Sequence, residues 1–116
     1  MGLKQIILAL LLLSHELAVA KNAEFYITLE KNTFSPPRLH IPADKKVRII
    51  ITNLDNEPEE FDSFDLNREK VLFPGKKSVI YVGPLKPGIY EYFGEFHPNT
   101  AKGSIIVKLK ESNNAD

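Results

Sequence analysis

The chain contains no cysteine, and its single methionine is Met1. Without cysteine there is no disulfide framework and no thiolate ligand, so every metal centre that needs a thiolate is excluded. A Gly-rich phosphate loop, a Gly-x-Ser-x-Gly nucleophile elbow and a His-Glu-x-x-His helix are also missing, which removes the commonest signatures of nucleotide, hydrolase and zinc-protease chemistry. Charge of either sign is not in excess: 15 basic and 15 acidic side chains balance to zero. A neutral chain has no global field to draw in nucleic acid or an anionic membrane, so neither is expected as a partner. No helical period is sustained anywhere after residue 20.

One long apolar run is present, at the very start. Lys4 precedes the unbroken stretch 6–13, and Ala18-Val19-Ala20 follows as a small-x-small signal. This order predicts a secretory signal peptide over residues 1–20, cleaved after Ala20. The run is much shorter than the ~20 residues that span a bilayer, so a membrane anchor fits it poorly. No second stretch of spanning length follows, and the exported part is expected to be periplasmic and not membrane-embedded. Fewer than ~100 residues then remain, enough for one domain with one core and no room for a second.

Residues 21–109 carry short β-type runs bounded by Pro, Gly, Asn or Asp. Strands are predicted at 25–29, 38–41, 47–52, 78–82, 89–93 and 104–109, with the β-branched segment 47–52 as a central strand. Turns are predicted at 32–37, 42–44, 53–58, 74–75 and 84–88. Residues 59–70 are acidic and aromatic without clear alternation, and read as an irregular strand or a loop with one helical turn. A polar tail over 110–116 is expected to fray. The sum is an all-β Greek-key sandwich of about seven or eight strands.

Two clusters could carry chemistry. The first is the loop 94–103, where Glu95 and His97 offer a hard oxygen and an imidazole. By itself a single histidine is weak evidence, and a hydrogen-bonding role in the loop fits it as well. The second holds six carboxylates between Glu57 and Glu69. Unless solvated, these must repel one another or bind a cation. If residues 60–64 are extended, Glu60, Asp62 and Phe64 share one face, while Phe61 and Ser63 share the other. A one-residue slip reverses those faces, so the sequence leaves open whether Glu59 or Glu60 faces a site. His40 reads as structural or surface, since no second ligand lies beside it.

Together these segments resemble the cupredoxins. Residues 90–98, Tyr-Glu-Tyr-Phe-Gly-Glu-Phe-His-Pro, followed by Gly103 and a β-branched strand, are similar to the ending in which an aromatic strand delivers Cys-x-x-His-Pro, then Met. Upstream, Thr52-Asn53-Leu54-Asp55 with Glu59-Glu60-Phe61 resembles the segment carrying the first copper histidine, and Leu39-His40-Ile41-Pro42-Ala43 the strand and turn before it. The resemblance implies that His97 keeps the second histidine, Gly94 stands at the thiolate position, Glu60 or Glu59 replaces the first histidine, and Thr100 or Ala101 falls near the methionine. A blue-copper centre is thereby excluded.

A narrower resemblance is to the cupredoxin-like components of bacterial iron-uptake systems that work beside an iron permease. It is carried by residues 60–70, Pro74-Gly75, residues 83–88 and residues 94–98. With cupredoxin connectivity these donors fall at one end of the sandwich, so a copper or iron ion is expected on Glu60, Glu69, Glu95 and His97, with Glu59 and Asp62 as substitutes or supporting groups. Carboxylates in place of sulfur suit Cu(II) and Fe(III) better than Cu(I). The implied partners are an inner-membrane iron permease or a periplasmic metal-binding protein. A copper-dependent ferroxidase is the alternative enzyme reading. A metal-free interaction sandwich, in which Tyr26, Tyr90, Tyr92 and Phe96 pack or dock, is the third.

Overall fold

The computed structural model describes residues 21–109. The expected signal peptide (1–20) and tail (110–116) lie outside the described residues. Nine strands follow one another: β1 (Ala23–Glu30), β2 (Thr33–Ser35), β3 (Arg38–Pro42), β4 (Val47–Asn53), β5 (Glu59–Ser63), β6 (Arg68–Leu72), β7 (Lys77–Val82), β8 (Gly88–Gly94) and β9 (Lys102–Lys108). They form a four-stranded sheet in the order β2-β1-β4-β7 and a five-stranded sheet in the order β3-β9-β8-β5-β6. Among the described residues there is no helix, so none is long and apolar enough to cross a membrane. The all-β sandwich expected from the sequence is what forms, with one strand more than the upper figure.

The alternation of side chains explains the packing. Val47, Ile49 and Ile51 of β4 are completely buried, while Arg48, Ile50 and Thr52 turn outward. This strand sits between β1 and β7, in the central position its β-branched composition predicts. An aromatic trio joins the two sheets. Phe34 of β2 meets Tyr92 of β8 edge-on at 5.3 Å, and Tyr92 stacks on Phe61 of β5 at 4.9 Å. Such pairs add about 0.5–1.5 kcal/mol each beyond their buried area. The third reading's tyrosines divide accordingly: Tyr92 is core, while Tyr26 is exposed.

Two segments differ from the sequence expectation. Within the turn expected over 32–37, Thr33–Ser35 pairs antiparallel with β1. Lys31 and Asn32 make the reversal with positive φ angles of 53° and 55°, and the Asp55 carboxylate accepts both of their N–H groups at 2.7 and 3.0 Å. The strand forms because Phe34 is a core residue whose neighbours are polar.

Residues 59–70, expected as an irregular strand or a loop with one helical turn, are two strands joined by a tight turn over 64–67, closed by Asn67 N–H to the Phe64 carbonyl (3.2 Å). They form β5 and the start of β6, an antiparallel hairpin in which Asp62 faces Glu69 and Glu60 faces Val71. The strand is hidden in the sequence because its inward face is Glu59-x-Phe61-x-Ser63, only one of which is apolar.

Candidate metal centre

The register of β5 separates two adjacent carboxylates. Glu59 points inward and is 2% exposed, whereas Glu60 points to the outer face of the five-stranded sheet. The Oε1 atom of Glu59 accepts the backbone N–H groups of Glu60 (2.9 Å) and Phe96 (2.8 Å). Its Oε2 lies 2.9 Å from Nδ1 of His97, whose side chain is about one-third exposed (33%). The loop between β8 and β9 is folded tightly around this contact. Gly94 and His97 are bridged from His97 N–H to Gly94 C=O (3.2 Å), and Ala101 N–H returns to His97 C=O (2.8 Å).

Gly94 explains how the pair fits. A Cβ at this position would lie 2.6 Å from both Cδ and Oε2 of Glu59, and 2.8 Å from the Ala101 methyl. The buried carboxylate therefore occupies the volume that any side chain at Gly94 would need. Glu59, Gly94, His97 and Ala101, positions to which the cupredoxin resemblance assigns copper ligands, do converge. They offer one imidazole and one carboxylate already bound to each other, no sulfur, and no room for a side chain at Gly94. A blue-copper ion does not fit them.

The remaining nominated residues gather on the outer face. Glu60, Asp62 and Glu69 each place a carboxylate oxygen within 4.8 Å of the others. Asp62 is 7% exposed, a low value for an acid on an outward face. Glu95 joins the group from the loop, its N–H donating to the Glu60 carbonyl at 2.9 Å. The Glu95 carboxyl is held above its ordinary value, first by lost hydration and then by the negative charges of Asp62, Glu60 and Glu69. Phe93 lies beside Asp62 in the register, and exposed Phe64 leans on it at 5.6 Å.

The structure thus brings Glu60, Glu69 and Glu95 together, adds Asp62, and sends the ring of His97 to Glu59. His40 is exposed on β3, away from both groups. Two supporting residues escaped the sequence reading. Asn53 is fully buried and donates to the carbonyls of Glu57 (2.8 Å) and Leu72 (3.0 Å), tying the end of β4 to the hairpin. Ser63 donates to the Glu91 carbonyl (2.7 Å) and accepts Leu66 N–H (3.1 Å), which anchors β5 against β8. An Asn closing a β-branched run, at Thr52-Asn53, was the available signal for the first.

Comparison with known proteins accords with this fold. The cupredoxin-like domain family matches residues 4–107. An uncharacterised protein of Rickettsia prowazekii (strain Madrid E) is 48% identical over 84 residues, covering 72% of this chain and 67% of that protein. Among solved structures, the purple cupredoxin of Nitrosopumilus maritimus superposes with a TM-score of 0.55 at 25% identity, covering 75% of this chain and all of that one. Auracyanin A, a blue copper protein of Chloroflexus aurantiacus, gives 0.64 at 12% identity over 76% of this chain and 100% of its own. The metal-binding domain of the Cu(I)-exporting P-type ATPase of Streptococcus pneumoniae D39 gives 0.63 at 19%, with coverages of 78% and 92%.

Proposed function

Because the chain belongs to the cupredoxin-like domain family, we propose that it is an exported, periplasmic metal-binding protein that holds Cu(II) or iron without a blue-copper centre and serves as an accessory in iron uptake. The observation that carries the reading is the convergence of Glu60, Asp62 and Glu69, with Glu95 at their edge. Two ionised carboxylates ~5 Å apart repel by roughly 1 kcal/mol in water and ~3 kcal/mol at a protein surface. A bound cation turns each repulsion into a shared attraction.

Oxygen donors select hard and borderline ions, so Cu(II) and Fe(III) suit this group and Cu(I) does not. Membership of the cupredoxin-like domain family favours copper. Iron rests on the resemblance of residues 60–70, 83–88 and 94–98 to permease-associated components. In this role the protein would pass its ion to an inner-membrane iron permease or to another periplasmic metal-binding protein. His97 stands apart from this carboxylate group, its Nδ1 facing Glu59, and is proposed as a nitrogen donor from the adjoining loop. Export rests on the run 6–13 and the Ala18-Val19-Ala20 signal.

Calorimetric titration of the purified protein with Cu(II) and with citrate-buffered Fe(III) tests the reading. Binding tighter than micromolar is expected, weakened at least tenfold in Asp62→Asn and in Glu69→Gln. Absence of such binding, or binding indifferent to both substitutions, overturns it.

A further inference from the structure

We infer that Glu59 fixes the tautomer of His97 with its proton on Nδ1, so that Nε2 is the atom His97 offers to a cation, outside the filled pocket beneath Gly94. The inference rests on the reading that His97 contributes to metal binding, and it assigns Glu59 the part of a positioning residue. The ligand class is a borderline divalent transition-metal ion, Cu(II) or Zn(II), for which a neutral imidazole is the usual nitrogen donor.

A carboxylate accepts hydrogen bonds and donates none, and an imidazole nitrogen can be either donor or acceptor. Oε1 of Glu59 is already committed to two fixed backbone donors, Glu60 N–H and Phe96 N–H. Oε2 is the atom left to face Nδ1, at 2.9 Å, and the contact is a hydrogen bond when Nδ1 carries the proton. In a neutral ring the lone pair then belongs to Nε2. A buried carboxylate donating orientation to a ligating histidine through its other nitrogen is the usual supporting arrangement around metal-bound imidazoles.

Burial and volume point the same way. Glu59 is 2% exposed and the His97 side chain 33% exposed, so the ring's accessible side is the one turned from Glu59. The family's pocket offers no room: the position of a Gly94 Cβ is already within 2.6 Å of the Glu59 carboxylate. An ion on Nδ1 would first have to displace that carboxylate and free two backbone donors. An ion on Nε2 leaves the Glu59 contact in place.

Long-range nitrogen–proton NMR of the imidazole rings in the metal-free protein reads the tautomer directly, with exposed His40 as an internal reference. His97 is expected as the Nδ1–H form. In Glu59→Gln the amide oxygen can keep the two backbone donors while its NH2 faces Nδ1, making that nitrogen an acceptor and moving the proton to Nε2. The expected result is a tautomer switch at His97 alone, with Zn(II) and Cu(II) binding at His97 weakened roughly 10- to 100-fold.

Zn(II) added to the unsubstituted protein should perturb Nε2 and leave the Nδ1–H signal in place. A His97 ring found as the Nε2–H tautomer overturns the inference, as does Zn(II) capture by Nδ1 with loss of its proton. If the tautomer is Nδ1–H but neither nitrogen responds to Zn(II) or Cu(II), the metal role of His97 falls while the orienting role of Glu59 stands. These readings need only the unsubstituted chain, so they survive a Glu59→Gln variant that fails to fold.

Discussion

Glu59 and His97 meet through Oε2 and Nδ1 at 2.9 Å although they lie 38 positions apart in the chain. One is almost fully buried on β5 and the other sits in the β8–β9 loop, so the contact joins the hairpin to the loop that carries the aromatic strand's end. The same carboxylate holds Phe96 N–H, which makes it the anchor of that loop.

Glu59→Ala is therefore expected to cost about 3–5 kcal/mol, the range for removing one partner from a buried charged hydrogen-bond network. His97→Ala should cost less, about 1 kcal/mol, because the ring is partly solvated and Glu59 retains its two backbone donors. Urea unfolding midpoints measure both. Equal losses for the two variants would contradict the anchoring role of Glu59.

Gly94→Ala is expected to destabilise by about 1–3 kcal/mol, since its methyl would overlap Glu59 and Ala101. Combining it with Glu59→Ala should be less damaging than the sum of the two single changes, because the first clash is gone. A double-mutant cycle in urea reads the coupling, and strict additivity would refute the shared volume.

The outer-face acids predict a pH effect whose direction is set by Glu95. Its carboxyl lies above the ordinary 4.5 in the folded state, so folding favours the protonated form. That contribution is present below the unfolded value and disappears as pH rises through the folded one. Metal-free protein should lose stability from this group in the window just above 4.5, and Glu95→Gln should flatten the loss. Unfolding midpoints followed across that window, with and without Cu(II), test it. At a hundredfold excess over Kd the metal should add about 2.7 kcal/mol.

Tyr92 offers a prediction of the opposite kind. Its hydroxyl is buried and finds no hydrogen-bond partner among the described residues, and burial pushes its ionisation well above the ordinary phenol value. Tyr92→Phe keeps the ring stacked on Phe61 and removes a polar group with no partner. The variant should be neutral or up to about 1 kcal/mol more stable in thermal or urea unfolding. A loss above 1 kcal/mol would show that the hydroxyl is satisfied.

The sequence alone determined the all-β class, the central place of residues 47–52, the bounds of most other strands and the exclusion of blue copper. These follow from local facts: side-chain alternation, turn residues between runs, and the absence of any thiolate. Only the tertiary structure decided which of two adjacent carboxylates faces which side, because β5 lacks the apolar alternation that would announce its inward face. Pairing with β6 and β8 supplies that register, and with it the division of the nominated residues. Glu60, Glu69 and Glu95 meet Asp62 on the outer face, while His97 turns to Glu59 inside. No spacing in the sequence could place that contact, since it is fixed by the volume missing at Gly94 and by two backbone donors far apart in the chain, one on β5 and one in the β8–β9 loop.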